Sequence, residues 1–248
     1  RVPALADAEA LCAATAETAA RLGVTRWGLV LNGRGAERAL AAGLDHLQYV
    51  VSASDTHSRH NAGTGTDDAM AEFSVVAERA RAAGAAVEMT LATAMGCPFE
   101  HRIDAERVVD LARRAVDAGA SSISLADTIG VAAPTEVARL LDRVVPVVDV
   151  AVGVHLHDTR GMAIANAVAA LQHGARRLDA SVGGLGGCPF APNASGNVPI
   201  EDLAHALAAM GVATGVSVEL LVVAAETACG AVGRDVASHV GVAGPRFA

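Results

Sequence analysis

The stretch AERVVDLARRAVDAGASSISLADTIG, residues 105–130, contains the unit that decides the fold. Its first part has apolar residues at helical spacing, and Gly119 is placed to end the helix. The short apolar run 123–125 then predicts a strand, which ends at Asp127. Because the run is apolar at consecutive positions, it is typical of a strand covered on both faces. The stretch therefore predicts a helix followed by a buried strand with a polar carboxyl end.

The same alternation recurs six times along the chain. The predicted helices cover 7–22, 36–42, 67–83, 105–118, 134–144 and 162–173, and the strands that follow them cover 26–31, 47–51, 87–91, 123–125, 148–155 and 177–178. Helices that alternate with apolar strands predict a parallel α/β sheet. We favour a TIM (β/α)8 barrel over an open doubly wound sheet, because no G-x-G-x-x-G fingerprint follows the first strand.

The strand count predicts an incomplete barrel. A closed barrel of this kind needs eight strands, and this chain opens on a helix. We therefore expect the first two βα units to be absent from the chain and the native protein to carry roughly 45 to 60 further N-terminal residues. Residues 1–248 are predicted to form a single barrel domain. Helices at 201–210 and 218–231 would be the last barrel helix and a terminal cap, with 217–248 as the cap helix and tail.

The composition excludes several classes of function. The net charge is −8, from 27 acidic and 19 basic residues, and no basic cluster suggests nucleic-acid binding. All 19 basic residues are arginine, so chemistry through a Schiff-base lysine is excluded. No apolar run reaches the roughly 18 residues of a membrane span, so we expect no membrane partner. Four scattered cysteines without a C-x-x-C motif favour a reducing compartment, and we expect a bacterial cytoplasmic protein.

Polar residues stand at the carboxyl ends of the predicted strands, where a barrel enzyme carries its active site. His155 and His157 lie two positions apart at one strand end, so both imidazoles can face the same metal ion. With oxygen ligands beside them, Mg²⁺ or Mn²⁺ is plausible, although imidazole would accept Zn²⁺ equally. Asp127 ends its own strand, and its carboxylate could ligate, orient or accept a proton, or simply cap a turn.

Two further segments carry candidate residues. Cys188 and Asn197 lie on or beside a glycine-rich loop that could bring a thiol over the site, although an idle thiol is the common alternative. The polar run 52–61 includes Arg59 and two histidines, which could meet an anionic substrate or belong to a solvated loop. Cys97, with no base identified nearby, is interpreted as structural.

Four motifs together resemble the 3-hydroxy-3-methylglutaryl-CoA lyase family. They are SVGGLGGCPF at 181–190, HLHDT at 155–159, DTIGV at 127–131 and GCPFE at 96–100. The resemblance implies a metal-dependent TIM barrel that cleaves its acyl-CoA substrate into acetyl-CoA and acetoacetate, most simply as a homodimer. It implies His155, His157 and Asn197 as ligands of Mg²⁺ or Mn²⁺, and Cys188, Asp127 and His155 as catalytic residues, with Cys188 acting in proton transfer.

The chain departs from this family in two places. The family's Arg-Asp pair on the first strand has no counterpart here, and His60 stands where the family tends to carry lysine. Three alternatives therefore stay open: a sister lyase for a longer branched 3-hydroxyglutaryl-CoA, an acetyl-CoA condensing enzyme of the same superfamily, and a noncatalytic remnant. The Gly-Gly-Cys-Pro sequence argues against the condensing enzyme.

Overall fold

Six parallel strands form one sheet whose strand order follows the chain, β1 to β6. The structure is a computed structural model that describes residues 6–187 and 196–246. The strands are β1 (Trp27–Val30), β2 (His46–Ser52), β3 (Ala86–Ala92), β4 (Ser122–Asp127), β5 (Ala151–Leu156) and β6 (Arg177–Asp179). The helices are α1 (Ala8–Leu22), α2 (Gly33–Ala41), α3 (Asp55–Ala62), α4 (Thr66–Ala82), α5 (Ala105–Asp117), α6 (Pro134–Val144), α7 (Ala163–Gln172), α8 (Ile200–Ala209), α9 (Val218–Val232) and α10 (His239–Ala243).

The two faces of the sheet differ in chemistry because side chains alternate along each strand. One face is apolar and packs under the helices, with side chains that are almost fully buried: Leu47, Tyr49, Met89, Leu91, Ile123, Leu125 and Leu156. Each large apolar side chain buried in this way contributes roughly 1.5–3 kcal/mol. The other face is mostly polar and includes Gln48, Glu88, Thr90, Ser124, His155, Arg177 and Asp179.

This arrangement confirms the parallel α/β architecture predicted from the alternating pattern. Within the described ranges the sheet has six strands and not the eight of a closed barrel. The two additional βα units stay a prediction, as do the single-domain boundaries. Two helices follow β6 as expected, and α9 packs against α8 and against the short 3₁₀ turn Val182–Gly184.

The structure differs from the sequence-based expectations in three places. The polar run 52–61 is not only a loop, because α3 begins where the Ser54 hydroxyl accepts a hydrogen bond from the His57 N–H. Strand β5 begins at Ala151 and not at 148, since a 3₁₀ turn with Pro146 (Val145–Val147) precedes it. The tail also contains α10, which the sequence pattern did not indicate.

The C-terminal helix α10 is hydrogen-bonded to α8 through the carboxylate of Asp202. Asp202 accepts hydrogen bonds from the Ser238 hydroxyl at 2.7 Å and from the N–H groups of His239 and Val240 at 3.0 and 2.8 Å. Burial alone would raise the pKa of Asp202, but these hydrogen bonds outweigh it and hold the pKa below its ordinary value. In the described part of the chain, no helix is long and apolar enough to cross a membrane.

Candidate active site

The two histidines predicted at a strand end lie together at the carboxyl edge of the sheet. His155 is the penultimate residue of β5, and His157 follows the strand directly. Their ring centroids are 5.3 Å apart with an edge-on orientation. His157 is 7% exposed, and its burial, with the neighbouring His155 charge, lowers its pKa to about 4. The His157 imidazole is therefore neutral at pH 7, which is the form that binds a metal.

Asn197 lies beside His157, as the sequence prediction requires. The two residues form an isolated antiparallel bridge, which brings the segment after the glycine loop against the end of β5. Asn197 donates from Nδ2 to the Leu185 carbonyl at 3.0 Å, which fixes the orientation of its carboxamide. The buried Oδ1 of Asn197 and the buried Nδ1 of His157 have no hydrogen-bond partner among the described residues.

These two atoms fit a metal site. A buried nitrogen or oxygen without a partner costs roughly 1–3 kcal/mol unless something satisfies it. An imidazole nitrogen and an amide oxygen can both coordinate a divalent cation. Among the described residues, no group of three or more His, Cys, Asp or Glu side chains is close enough to hold a metal ion on its own. The predicted ligand set of His155, His157 and Asn197 combines two imidazoles with one amide and stays a prediction.

A network of charged and polar side chains extends from His155 across the polar face of the sheet. The His155 Nδ1 lies 3.8 Å from Asp179 Oδ2. Asp179 also forms an ion pair with Arg177, whose Nε lies 3.5 Å from Asp179 Oδ1. Arg177 pairs in turn with the fully buried Glu88 and covers the Trp27 ring at 4.7 Å. Glu88 also accepts hydrogen bonds from side chains on three strands: Gln48, Thr90 and Ser122. This network orients Asp179 toward His155.

The carboxylate of Asp127 is engaged by its own turn. Its two oxygens accept hydrogen bonds from the N–H groups of Val131 and Ala132, both at 3.0 Å. Burial raises the pKa of Asp127, and these hydrogen bonds counter it only in part. Asp127 therefore shapes the loop that follows β4, beside the site. Its catalytic role stays a prediction.

The predicted catalytic Cys188 lies outside the described residues, so its role also stays a prediction. The segment that precedes it in the chain is held by a hydrogen bond from Gly183 to α8. The Gly183 N–H donates to Glu201 Oε1 at 2.9 Å, and Gly183 has a φ of 62°, in the left-handed region. A Cβ at Gly183 would collide with the Cys229 sulfur, which explains a glycine at this position.

The structure sorts the candidate residues of the polar run 52–61. Arg59 is exposed and pairs with Asp55 at 2.8 Å, while the His60 ring stacks on Phe99 at 4.7 Å. His57 instead faces inward and is 1% exposed. Both histidines of this run were candidates, and nothing in the sequence pattern separates His57 from His60. The signal that could have separated them is the position of His57 in the first turn of a helix directly after β2.

His57 shares a small cavity with the two site histidines. The cavity has a volume of about 130 Å³ and is lined by residues of β1 to β5 and of the segments that follow β2, β4 and β5. Its lining combines imidazoles with small polar and apolar side chains, namely Leu29, Gln48, Val50, His57, Asn61, Thr90, Ala92, Ala126, Thr128, His155 and His157. Cys97 is not among the residues that line this cavity; it is buried, its thiol lies 3.0 Å from the Ser54 hydroxyl, and its structural role stays an interpretation.

A parallel α/β sheet that gathers its polar residues at the carboxyl ends of the strands is characteristic of the TIM-barrel class of enzymes. Comparison with known proteins narrows this class. A family model described as HMGL-like matches residues 3–227. The chain therefore belongs to the HMGL-like family, as the motifs of the sequence indicate.

The similar proteins are named as lyases of CoA thioesters. The chain is 45% identical over 223 residues to the (R)-citramalyl-CoA lyase of Chloroflexus aurantiacus, covering 88% of this chain and 69% of that protein. It is 39% identical over 213 residues to the mitochondrial hydroxymethylglutaryl-CoA lyase of Rattus norvegicus, covering 86% and 66%. The chain thus spans about two thirds of the length of these relatives.

The fold agrees with this family. An HMG-CoA lyase from Acinetobacter baumannii, solved in complex with coenzyme A and 3-methylmalate, superimposes with a TM-score of 0.90 at 35% identity. The alignment covers 99% of this chain and 80% of that one. The six-stranded sheet described above thus has the fold of the lyases in this family.

Proposed function

We propose that the protein is a metal-dependent acyl-CoA lyase that cleaves 3-hydroxy-3-methylglutaryl-CoA into acetyl-CoA and acetoacetate. The observation that carries the proposal is the pair of buried acceptor atoms without partners, His157 Nδ1 and Asn197 Oδ1, at the same strand end as His155. Membership of the HMGL-like family supports the reaction class.

The residues that would hold the divalent ion, Mg²⁺ or Mn²⁺, are His155, His157 and Asn197. When bound, such an ion acts as a Lewis acid that lowers the pKa of the substrate hydroxyl. The protein contributes a neutral His157, since burial lowers its pKa to about 4. It also contributes an Asn197 side chain whose amide hydrogen bond to Leu185 fixes the direction of its oxygen.

The reaction requires two proton transfers that side chains must manage. The tertiary hydroxyl loses its proton as the bond between C2 and C3 breaks, which leaves acetoacetate and the enolate of acetyl-CoA. Cys188 is the candidate donor to the enolate carbon, since a thiol with a pKa of about 8.5 exchanges protons near neutrality. Asp127 supports this site by fixing the loop after β4 through its hydrogen bonds to Val131 and Ala132.

His155 has two possible roles, as a metal ligand or as the base for the hydroxyl proton. Asp179 lies 3.8 Å from its Nδ1, so Nε2 is the nitrogen left for either role. The affinity of a His155→Ala variant for Mn²⁺ separates the roles, because only the loss of a ligand weakens binding of the metal.

(R)-Citramalyl-CoA is a second candidate substrate, because the identity to the citramalyl-CoA lyase is 45% against 39% to the rat hydroxymethylglutaryl-CoA lyase. The two thioesters differ by one methylene between the hydroxyl-bearing carbon and the carboxylate. The same bond breaks in both, and citramalyl-CoA gives pyruvate in place of acetoacetate. A hydrophobic methylene changes binding by only about 1–3 kcal/mol, so both substrates need to be assayed.

The test is a comparison of kcat/KM for the two thioesters with full-length protein and Mg²⁺. Acetoacetate and pyruvate are measured separately by coupled reduction. A higher kcat/KM for 3-hydroxy-3-methylglutaryl-CoA supports the first proposal, and a higher value for citramalyl-CoA replaces it with the second. No acetyl-CoA from either thioester, with folding confirmed by circular dichroism, would leave the noncatalytic alternative.

A further inference from the structure

The Ser52–His57 pair is a second polar feature of the cavity that the proposed mechanism does not use. His57 lies in the first turn of α3, where its N–H donates to the Ser54 hydroxyl at 3.0 Å. This cap fixes the backbone of His57 directly after β2. The side chain then turns inward and is 1% exposed, beside the Phe99 ring at 6.2 Å.

One nitrogen of His57 is paired and the other is not. The Ser52 hydroxyl lies 2.6 Å from Nδ1, a short hydrogen bond between two buried groups. The Ser52 carbonyl is held separately by the Thr66 hydroxyl at 2.9 Å. Nε2 is buried and has no hydrogen-bond partner among the described residues. This nitrogen belongs to a side chain that lines the same cavity as His155 and His157.

Burial indicates which protonation state the imidazole takes. Burial, and then the charge of His60, lower the pKa of His57 below its ordinary value, so the ring is neutral at pH 7 and carries one proton. If the Ser52 hydroxyl donates to Nδ1, that proton lies on Nε2. Nε2 is then a hydrogen-bond donor.

The described residues that line the cavity offer the substrate no arginine or lysine side chain. No arginine is among the described residues that line it, and the chain contains no lysine. Both candidate thioesters carry a carboxylate at the end of the acyl group, which needs hydrogen-bond donors when it leaves water. A volume of about 130 Å³ suits this acyl fragment rather than a whole CoA thioester.

We propose that His57 is a further substrate-binding residue, held by Ser52 so that its Nε2–H donates a hydrogen bond to the terminal carboxylate of the acyl group. The inference rests on the proposed lyase function and gives a role to His57, which lines the same cavity as His155 and His157. Ser52 is then a positioning residue, because it acts on the substrate only through the tautomer of His57.

The first test is the tautomer, which does not depend on activity. Protein labelled with ¹⁵N-histidine is examined at pH 7 by long-range ¹H–¹⁵N correlation, with the His57 signals assigned from the spectrum of a His57→Phe variant. The expected result is a neutral ring protonated on Nε2, and a change in this tautomer population in Ser52→Ala. A ring protonated on Nδ1 would overturn the proposal even if the lyase is fully active.

The second test is the effect of two His57 variants on substrate binding. His57→Phe keeps a flat ring but removes the donor, whereas His57→Gln keeps an N–H at similar reach. Because a hydrogen bond to a charged group is lost, we expect His57→Phe to raise KM for the preferred thioester by about 10- to 100-fold. We expect His57→Gln to recover much of that loss and kcat to change less than KM.

The identity of the contacted group needs a comparison ligand. 3-Hydroxy-3-methylbutanoyl-CoA lacks the terminal carboxylate and serves as a competitive inhibitor. If the contact is to the carboxylate, His57→Phe leaves the Ki of this inhibitor unchanged within about twofold. An equal loss of affinity for the inhibitor and the substrate would contradict the proposal, since it would show a general effect on the cavity.

A matched control is His173→Gln, which removes an imidazole from the far end of α7, where it pairs with Asp142 at 2.7 Å. This variant is expected to have wild-type kinetics. If wild-type protein cleaves neither thioester, the proposed function fails. The role of His57 can then still be decided with free citramalate and 3-hydroxy-3-methylglutarate as ligands. A change in the ¹⁵N chemical shifts of His57 when either acid is added to wild-type protein supports the contact, and no change overturns it.

Discussion

Asn197 and His157 face each other across an isolated antiparallel bridge, and each leaves one buried acceptor atom without a hydrogen-bond partner among the described residues. The two atoms come from segments 40 residues apart in the chain, so only folding brings them together. Folding that retains two unpaired acceptors at one place costs free energy. A cation bound there would recover that cost, and this is the physical link between the fold and the proposed chemistry.

We therefore predict that His157→Ala and Asn197→Ala each weaken the binding of Mn²⁺ by about tenfold or more, because each removes a ligand. The dissociation constant is measured by titration calorimetry or by the electron paramagnetic resonance signal of free Mn²⁺. His173→Gln, which changes a half-buried histidine outside the cavity lining, is the control. Wild-type Mn²⁺ affinity in both site variants would disprove this assignment of the ligands.

Removal of the metal is expected to abolish activity in a reversible way. Excess chelator should stop acetyl-CoA release, and added Mg²⁺ or Mn²⁺ should restore it, since imidazole and amide ligands exchange hard cations readily. The measurement is the initial rate before and after chelation and after each ion is returned. Full turnover in excess chelator would exclude a metal-dependent mechanism.

The loop thiol is expected to matter for turnover and not for folding. Cys188→Ala should lower kcat by about 100-fold or more, the usual range for a lost general acid, while the melting temperature and the affinity for Mn²⁺ stay near wild type. Cys12→Ala is the comparison, because Cys12 lies on α1 and is not among the residues that line the cavity. An unchanged kcat in Cys188→Ala would return this cysteine to the idle-thiol interpretation.

The buried pair of Arg177 and Glu88 should be essential for stability. Arg177→Met leaves the fully buried Glu88 carboxylate without its cation, and we expect a loss of about 3 kcal/mol in the free energy of unfolding, discounted because the Arg177 side chain is 33% exposed. The double variant with Glu88→Gln should regain most of this loss. Urea denaturation measures both. The control is Arg38→Met, which loses an exposed pair with Glu9 and is expected to leave the free energy of unfolding nearly unchanged. A double variant no more stable than Arg177→Met would refute the pairing argument.

Stability should also depend on Asp202 through pH. Its pKa is lowered in the folded protein, so the carboxylate contributes stability above the unfolded pKa of about 3.9 and loses it as the pH falls through the folded pKa. We expect Asp202→Asn to cost about 1–2 kcal/mol at pH 7 and progressively less below about pH 4. Denaturation at pH 7 and at pH 3 checks the sign. A cost that is constant or grows toward acid pH would contradict the role given to this cap.

Sequence alone was enough to predict the repeating helix and strand units and the parallel sheet. The signal is local, because a helix such as α5 shows its apolar face and stop glycine within one stretch, and β4 is apolar at adjacent positions. The same local pattern placed His155 and His157 at one strand end. The polar run that forms α3 was missed, since its helix depends on the Ser54 cap more than on apolar spacing.

Only the tertiary structure showed which polar atoms are left without partners. The orphaned atoms of His157 and Asn197, and the choice of His57 over His60, depend on contacts between segments that are distant in the chain. The same is true of the engagement of Asp127 by its own turn and of the network from Glu88 to Asp179. Sequence fixes which groups can donate or accept, whereas burial and the direction of each side chain, which follow from packing, decide which of them are free to bind a ligand.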